Sequence, residues 1–278
     1  MNRNVLHVAI TPDDHYVHHG IAMLNSLRQN NRYHRLFVHI IYGNLSFSSR
    51  LKLIIFCFKF GINYQFYRIQ SSPFDSAPLA FHFSSTVYNR LLLASYLDVN
   101  IEKVLYLDCD LIILKELSDL YEMDLGNNYL AAVEETISQD VDERLCLEGR
   151  GYFNAGVLLL NLKAWRQQDL ERAFLQFISE KAEKIKYLDQ DVLNYCSRDH
   201  WIQLDRHYNV THFYYDRSNY SEDYFELSKS AYEALTENPS IVHFSGHKKP
   251  WIEGCDHPKK DIYFKYELSF KKLLFSKK

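Results

Sequence analysis

Short apolar runs alternate with amphipathic stretches through the first half of the chain, which predicts strands separated by helices and a largely parallel sheet. Residues 5–10 (VLHVAI) read as a strand ending at the turn Thr11-Pro12-Asp13-Asp14. Ile21, Met23, Leu24 and Leu27 then lie on a helical stripe. Residues 36–42 predict a second strand, and 46–60 a second helix with Ser46 suited to its N-cap. A third strand is expected over 63–69, and the proline-containing segment 70–84 (QSSPFDSAPLAFHFS) as a long loop of the kind that often serves function. The pattern returns to helix over 87–97. The apolar residues 103–107 predict a strand running straight into Asp108-Cys109-Asp110, and a further apolar run covers 111–114. Later strands are expected at 129–133, 156–162 and 240–244, with helices at 163–184 and 190–196. In open α/β sheets ligands sit at the carboxyl ends of the strands, which places Asp13, Asp108 and Asp110 on one rim.

Composition narrows this without changing it. A 47% hydrophobic and 15% aromatic content, with nine Gly and six Pro in 278 residues, is enough for a large core and argues against disorder. The five cysteines, Cys57, Cys109, Cys146, Cys196 and Cys255, show no CxxC spacing and fit a reducing compartment. No secretory signal pattern opens the sequence, and its longest apolar stretch, residues 53–60, is too short to span a bilayer, so a cytoplasmic location is expected. The net charge of −3 gives no reason to expect nucleic-acid binding. Residues 259–278, however, hold seven Lys against two acids, a balance of +5 that leaves −8 on the preceding residues. We therefore divide the chain into a domain over 1–255 and a basic, aromatic tail over 256–278.

Asp108 and Asp110 carry the most specific chemistry. Alternation along extended chain aims both carboxylates to one side, and like charges at a buried strand end are unfavourable without a cation. Oxygen ligands select Mg or Mn, and a nitrogen ligand tilts the choice toward Mn. A solvated acidic turn is the bland alternative. Asn154-Ala155-Gly156 reads as a small-residue turn ahead of a buried strand, where backbone approaches a ligand closely or simply turns. Asp189-Gln190-Asp191 joins two acids and an amide at the start of a helix that Asp189 is equally suited to cap. His243 to Trp251 offers an imidazole, Gly246, a Lys pair and an aromatic. Together these segments supply what transfer from a sugar nucleotide needs: Asp108, Asp110 and His243 for a metal, Lys249 and the Gly246 backbone for an anionic diphosphate, and Asn154, Asp189 and Gln190 for sugar hydroxyls.

The ordered set Thr11-Pro12-Asp13-Asp14, Tyr88-Asn89-Arg90, residues 103–110 (KVLYLDCD), Phe153 to Val157, Asp189-Gln190-Asp191 and His243 to Trp251 resembles glycosyltransferase family 8, over about the first 250 residues. Within the family the chain is similar to the bacterial lipooligosaccharide galactosyltransferases, and more distantly to glycogenin. The resemblance implies a GT-A fold, a Rossmann-like mostly parallel sheet with helices on both faces. It also implies transfer of galactose or glucose from a UDP-sugar with retention of configuration, using Mn2+ with Mg2+ as the alternative. The acceptor would be a saccharide of a bacterial surface glycan, such as lipopolysaccharide, lipooligosaccharide or a glycoprotein glycan. Asp108, Asp110 and His243 match the metal ligands, and Gly246 and Lys249 the diphosphate contacts. Thr11, Asp13, His15 and Cys109 fall in the matched nucleotide-binding segments; Asp13 matches the residue meeting uracil, and His15 stands where an amide is usual. Arg90, Asn154, Ala155 and Asp189 match donor-sugar contacts, with Asp189 and Gln190 as the catalytic pair. We read Gln190 as electrostatic support, because an amide is a poor nucleophile. Glu135, with Glu134 as its substitute, falls near an acceptor-contacting acid.

Two other classes stay open on sequence: a catalytically silent sugar-nucleotide or glycan-binding protein, and a nucleotidyltransferase. In the tail, Tyr263, Tyr266, Phe270 and Leu273 recur at helical spacing among lysines. That pattern predicts either a helix lying on the inner face of the cytoplasmic membrane near a lipid-linked acceptor, or a helix docked on the domain.

Overall fold

The computed structural model describes residues 5–71, 73–74, 85–136, 139–216 and 218–275. Of the predicted loop over 70–84, residues 72 and 75–84 lie outside that set. The chain runs β1 (Val5–Ile10), α1 (Val17–Asn30), β2 (Arg35–Tyr42), α2 (Phe47–Phe60) and β3 (Asn63–Arg68), then α3 (Leu93–Tyr96), β4 (Lys103–Leu107), β5 (Leu111–Ile113) and α4 (Ser118–Glu122). It continues with β6 (Leu130–Glu134), α5 (Gln139–Leu145), β7 (Phe153–Asn161), α6 (Leu162–Gln167), α7 (Leu170–Glu180) and α8 (Leu188–Ser197). The last elements are β8 (Trp201–Leu204), β9 (Val210–Thr211), α9 (Lys229–Glu237), β10 (Ile241–His243) and α10 (Lys260–Phe275).

Seven strands form the main sheet in the order β3-β2-β1-β4-β7-β6-β8. Neighbours are parallel except around β7, which runs antiparallel to both β4 and β6. The central strands are covered on both faces, so they read as unbroken apolar runs rather than alternating ones. One face carries a core built on Tyr88, Phe153, Trp165, Phe174 and Phe177; the other packs Ile21, Leu24, Leu53 and Phe56 from α1 and α2 against the same strands. A second sheet, β5-β10-β9, stands beside the first, with β10 antiparallel to β5 and parallel to β9. The chain leaves the main sheet at Leu107 and enters the second at Leu111, so Asp108-Cys109-Asp110 is the corner between them.

Several expectations change in detail. Residues 85–92 wind as a 3-10 helix before the short α3. At three residues per turn Tyr88 and Leu91 stack on one face, and both are fully buried. The single helix expected over 163–184 breaks at Asp169, whose φ of 49° lies in the left-handed region that Asp tolerates better than most residues. β8 and β9 carry no apolar alternation long enough to announce them. Asn154-Ala155-Gly156 is not a turn: β7 begins at Phe153 and runs through all three. Ser46 does cap α2, accepting the backbone N–H of Ser49 at 3.2 Å.

α10 docks on α1. Tyr263 and Tyr266 are buried there; the Tyr263 hydroxyl meets His19 Nδ1 at 2.6 Å, and Asn30 donates to the Tyr266 hydroxyl at 2.9 Å. The side chains of Phe270 and Leu273, and residues 277–278, lie outside the described set. Among the described residues no helix is long and apolar enough to cross a membrane. All five cysteines are unpaired.

One buried polar chain has a consequence for stability. His39 is fully buried, with Nε2 at 2.9 Å from His7 Nδ1 and Nδ1 at 2.9 Å from the Tyr67 hydroxyl. Burial, with the neighbouring His7, pulls its pKa down to about 3. The unfolded chain therefore takes up this proton first as pH falls: the full stability present above pH ~6.5 is lost progressively toward pH 3, about 2 kcal/mol by pH 5. We expect denaturant midpoints to drop between pH 7 and pH 5, and the drop to shrink in His39→Gln. Parallel pH–stability curves for the two proteins would show that His39 is not the group responsible.

Candidate active site

The corner between the two sheets brings three metal-capable side chains together. Ligand atoms of Asp108, Asp110 and His243 lie within 4.8 Å of one another. His243 Nε2 stands 3.4 Å from Asp110 Oδ1 and 4.0 Å from Asp108 Oδ2. The acids converge because the chain turns at Cys109-Asp110 on its way into the second sheet, not because an extended strand alternates as the sequence reading supposed. His243 arrives on β10, which is antiparallel to β5, so it pairs with Leu111 directly after Asp110.

The imidazole is set by its neighbours. Its Nδ1 faces Asn209 Oδ1 at 2.9 Å and donates there, which turns Nε2 toward the carboxylates. Asn209 Nδ2 in turn donates to Asn154 Oδ1 at 2.9 Å, and Asn154 Oδ1 also accepts the Gly156 N–H at 3.0 Å. Gly156 supplies the space: a Cβ there would fall 2.3 Å from His243 Cε1. This glycine keeps extended strand geometry, and its missing side chain is what the site uses. Gly246 differs, with a φ of 75° and the His212 ring where a Cβ would point.

Each acid has a buried counter-charge. Lys249 Nζ donates to Asp110 Oδ2 and, at 2.6 Å, to the Phe244 carbonyl. Burial alone would raise the Asp110 pKa, but Lys249 and His243 hold it well below the usual carboxylate range. Asp108, with 25% of its side chain exposed, is the open member of the set. It accepts from Arg90 Nη2 at 3.0 Å and from the Tyr106 hydroxyl at 2.8 Å. Arg90 also donates to the Ala155 carbonyl at 2.7 Å, reaches Asp189 Oδ2 at 2.8 Å through Nε, and lies over the Tyr106 ring. Burial, with the Asp108 charge adding to it, pushes the Asp189 carboxyl up to about 7 despite the Arg90 guanidinium.

Gln190 is fixed at both ends of its amide. Oε1 accepts the Ala155 N–H at 2.9 Å, and Nε2 donates to Glu135 Oε2 and to the Tyr152 hydroxyl, each at 3.1 Å. Glu135 also accepts from Asn154 Nδ2 at 3.4 Å, and burial raises its pKa. Glu134 points elsewhere and accepts from Gln203 at 2.8 Å. Asp189 does not cap α8; Asp191 instead accepts the N–H groups of Lys186 and Tyr187 at 2.7 Å each, and it pairs with Arg144 at 2.8 Å. Asp191 thus anchors the start of the helix that presents Gln190. At the far end of the rim, Thr11 Oγ1 meets the Tyr106 hydroxyl at 2.9 Å, and Asp13 Oδ1 accepts the N–H groups of His15 and Tyr16 at 2.9 Å each. The His15 side chain is exposed, whereas Cys109 is buried with its thiol pKa raised.

A family model for glycosyl transferase family 8 matches residues 7–255. The chain belongs to that family. Among curated proteins, it is 28% identical over 267 residues to general stress protein A of Bacillus subtilis, covering 94% of this chain and 93% of that protein. It is also 28% identical over 267 residues to a lipopolysaccharide 1,2-glucosyltransferase of Escherichia coli, covering 94% of this chain and 77% of that one. Among solved structures, the galactosyltransferase LgtC in complex with donor and acceptor sugar analogues superposes with a TM-score of 0.84 at 25% identity, covering 95% of this chain and 96% of that one. The mixed, mostly parallel sheet is therefore the GT-A architecture of a family 8 glycosyltransferase.

Sequence reasoning missed Asn209, Tyr106 and Tyr152. A tyrosine inside the apolar run of β4 was a signal, because a buried hydroxyl needs a partner. Asn209 sits in HYNVT, where nothing marks it. The Gly156 contact makes a sharp expectation: Gly156→Ala forces a methyl into the His243 ring on a central strand, and overpacking of that kind costs about 1–3 kcal/mol. An unchanged urea midpoint in the variant would mean that His243 yields freely.

Proposed function

We propose that this protein transfers galactose or glucose, with retention of configuration, from a UDP-sugar to a saccharide acceptor of a bacterial surface glycan. The observation that carries the reading is the convergence of Asp108, Asp110 and His243 on the rim that also holds Arg90, Asp189 and Gln190. Two relatives support the substrate classes: one is named a lipopolysaccharide glucosyltransferase, and LgtC was solved with donor and acceptor sugar analogues.

The donor set of two carboxylates and one imidazole fits Mn2+, with Mg2+ as the alternative. Asp108, Asp110 and His243 would hold such a cation, which would supply Lewis-acid stabilisation to a diphosphate leaving group. Asn209 keeps the His243 Nε2 lone pair aimed at that position. Lys249 and the Gly246 backbone contribute positive potential to the diphosphate, and Thr11, Asp13, His15 and Cys109 border the nucleoside. Arg90, Asn154, Ala155 and Asp189 orient the donor hexose through hydrogen bonds. Gln190, with its amide fixed by Ala155 and Glu135, presents a dipole to the positive charge that develops on the sugar ring. A cavity beside Glu135 is lined also by Glu134, Asn154, Phe213, Tyr214, Tyr224 and Phe225. Its carboxylate and aromatic rings suit a saccharide acceptor, carried on a lipid in the cell. We place the reaction at the cytoplasmic face of the membrane, where that acceptor and UDP-sugars meet.

The test is UDP release and product mass with a panel of UDP-hexoses, in the presence of Mn2+ and a candidate oligosaccharide acceptor. Turnover with UDP-galactose or UDP-glucose is expected, with loss of activity in Asp110→Ala and a fall in kcat of about 100-fold in Gln190→Ala. Tight UDP-sugar binding with no UDP released under any acceptor would replace the enzyme reading with that of a binding protein. Release of pyrophosphate instead of UDP would identify a nucleotidyltransferase.

The two glutamates give an independent check. Glu135 holds the amides of Gln190 and Asn154, whereas Glu134 holds Gln203. Glu135→Gln should therefore lower kcat/KM about tenfold or more, and Glu134→Gln should leave it within about twofold. Equal effects would remove the positioning role assigned to Glu135.

A further inference from the structure

Helix α2 buries one side and leaves a different apolar side bare. Ser49, Leu53, Phe56 and Cys57 turn inward and are buried. Phe47, Leu51, Ile55 and Phe58 recur at spacings of four, four and three, which puts them within one arc of about 80° and along about 16 Å of helix. Their exposures run from 41% to 86%. Isolated exposed apolar side chains are ordinary, but a continuous ridge of four large ones marks an interaction face.

The charge around the ridge is one-sided. Lys52 and Lys59 line one edge of it and are exposed, and α2 carries no acidic residue. From His15 to Phe74 the sequence contains seven Lys and Arg and not one Asp or Glu, within a chain whose net charge is −3. The ridge also begins beside the candidate active site. The backbone N–H and hydroxyl of Ser46, the residue before Phe47, donate to Asp14 Oδ1 at 3.0 and 2.9 Å, tying the start of α2 to the turn at the end of β1.

We infer that this face of α2 docks on an anionic lipid bilayer, with Phe47, Leu51, Ile55 and Phe58 seated at the boundary of headgroups and acyl chains and Lys52 and Lys59 on lipid phosphates. An apolar ridge bordered by lysines is the pattern that binds interfaces without spanning them. A second copy of this chain fits poorly: a two-fold contact would bring together two patches that carry lysines and no acid to pair with them. The site is separate from the α1–α10 contact, where Tyr263 and Tyr266 are already covered. Its membrane binding does not depend on the donor or acceptor assigned above; only its use, holding the rim near a lipid-carried acceptor, rests on that reading.

Co-sedimentation of the full chain with vesicles of phosphatidylcholine, alone or mixed with phosphatidylglycerol, tests it. Binding is expected to the anionic vesicles, to weaken in high salt as the Debye length shrinks to about 3 Å at 1 M, and to fall about tenfold or more in Phe47→Ser/Leu51→Gln and separately in Ile55→Gln/Phe58→Ser. These surface substitutions should leave the melting temperature unchanged. Undiminished vesicle binding in both variants overturns the proposal, above all if Lys271→Glu/Lys272→Glu abolishes it, since the tail is then the membrane element. A concentration-dependent dimer in sedimentation velocity that the α2 substitutions dissolve, without vesicle binding, also overturns it.

Discussion

The buried carboxylate of Asp110, at a corner between sheets, stays ionised because Lys249 is packed against it, and the rest of the rim is arranged around that requirement. Arg90 meets Asp108 and Lys249 meets Asp110, so three separated parts of the chain come together here. A buried charge stripped of its partner costs about 3–5 kcal/mol, so the positions of the 3-10 segment, the β4–β5 corner and the loop after β10 constrain one another. The corner is also where β4 gives way to β5. The switch between sheets turns Asp108 and Asp110 toward one point, and the pairing of β10 with β5 delivers His243 to it.

The same burial has opposite results on neighbouring acids. Asp110 has Lys249 and His243 close by and stays strongly acidic, whereas burial and the Asp108 charge outweigh Arg90 at Asp189 and push it up to about 7. The rim therefore presents one firmly anionic carboxylate for a cation and one whose charge answers to small changes around Arg90. A ligand that drew Arg90 or Asp108 toward itself would alter the proton affinity of Asp189 through that shared guanidinium. The Asp189 side of the rim is thus electrically coupled to the Asp108–Asp110 side by one arginine.

Much of this was legible in the sequence, for reasons that differ by element. The strand leading to Asp108 and the cap at Ser46 rest on local signals, an apolar run and a side chain matched to an orphan N–H, and both stand in the structure. Asn154-Ala155-Gly156 misled because a small-residue cluster usually means a turn. Here Gly156 keeps a strand conformation and is small for the sake of His243, a neighbour 87 positions away in the chain, and no local pattern reports such a contact. Asp189 and Asp191 looked equivalent. Burial against Arg144, Tyr152 and two backbone N–H groups makes Asp191 the structural acid, a distinction that only tertiary packing draws. Asn209 had no signal at all, since its importance lies in two amide hydrogen bonds to residues far away in sequence.

The loop that carries Lys249 continues to Trp251, and there the C-terminal helix enters the argument. Trp251 stacks on the His19 ring of α1 at 3.5 Å and packs against Tyr263 of α10 at 5.2 Å. Burial lowers the His19 pKa to about 4, so the ring is neutral at neutral pH and its Nδ1 meets the Tyr263 hydroxyl without a charge to desolvate. Lys249 is therefore held from two directions: by Asp110 and the Phe244 carbonyl at its ammonium, and by an aromatic clamp of α1 and α10 two residues along the loop. Because an ammonium on a four-carbon stem is flexible, charge alone would not fix its position. The clamp limits how far the loop can lift, and this gives the basic tail segment a structural part at the site that its lysines, read alone, did not suggest.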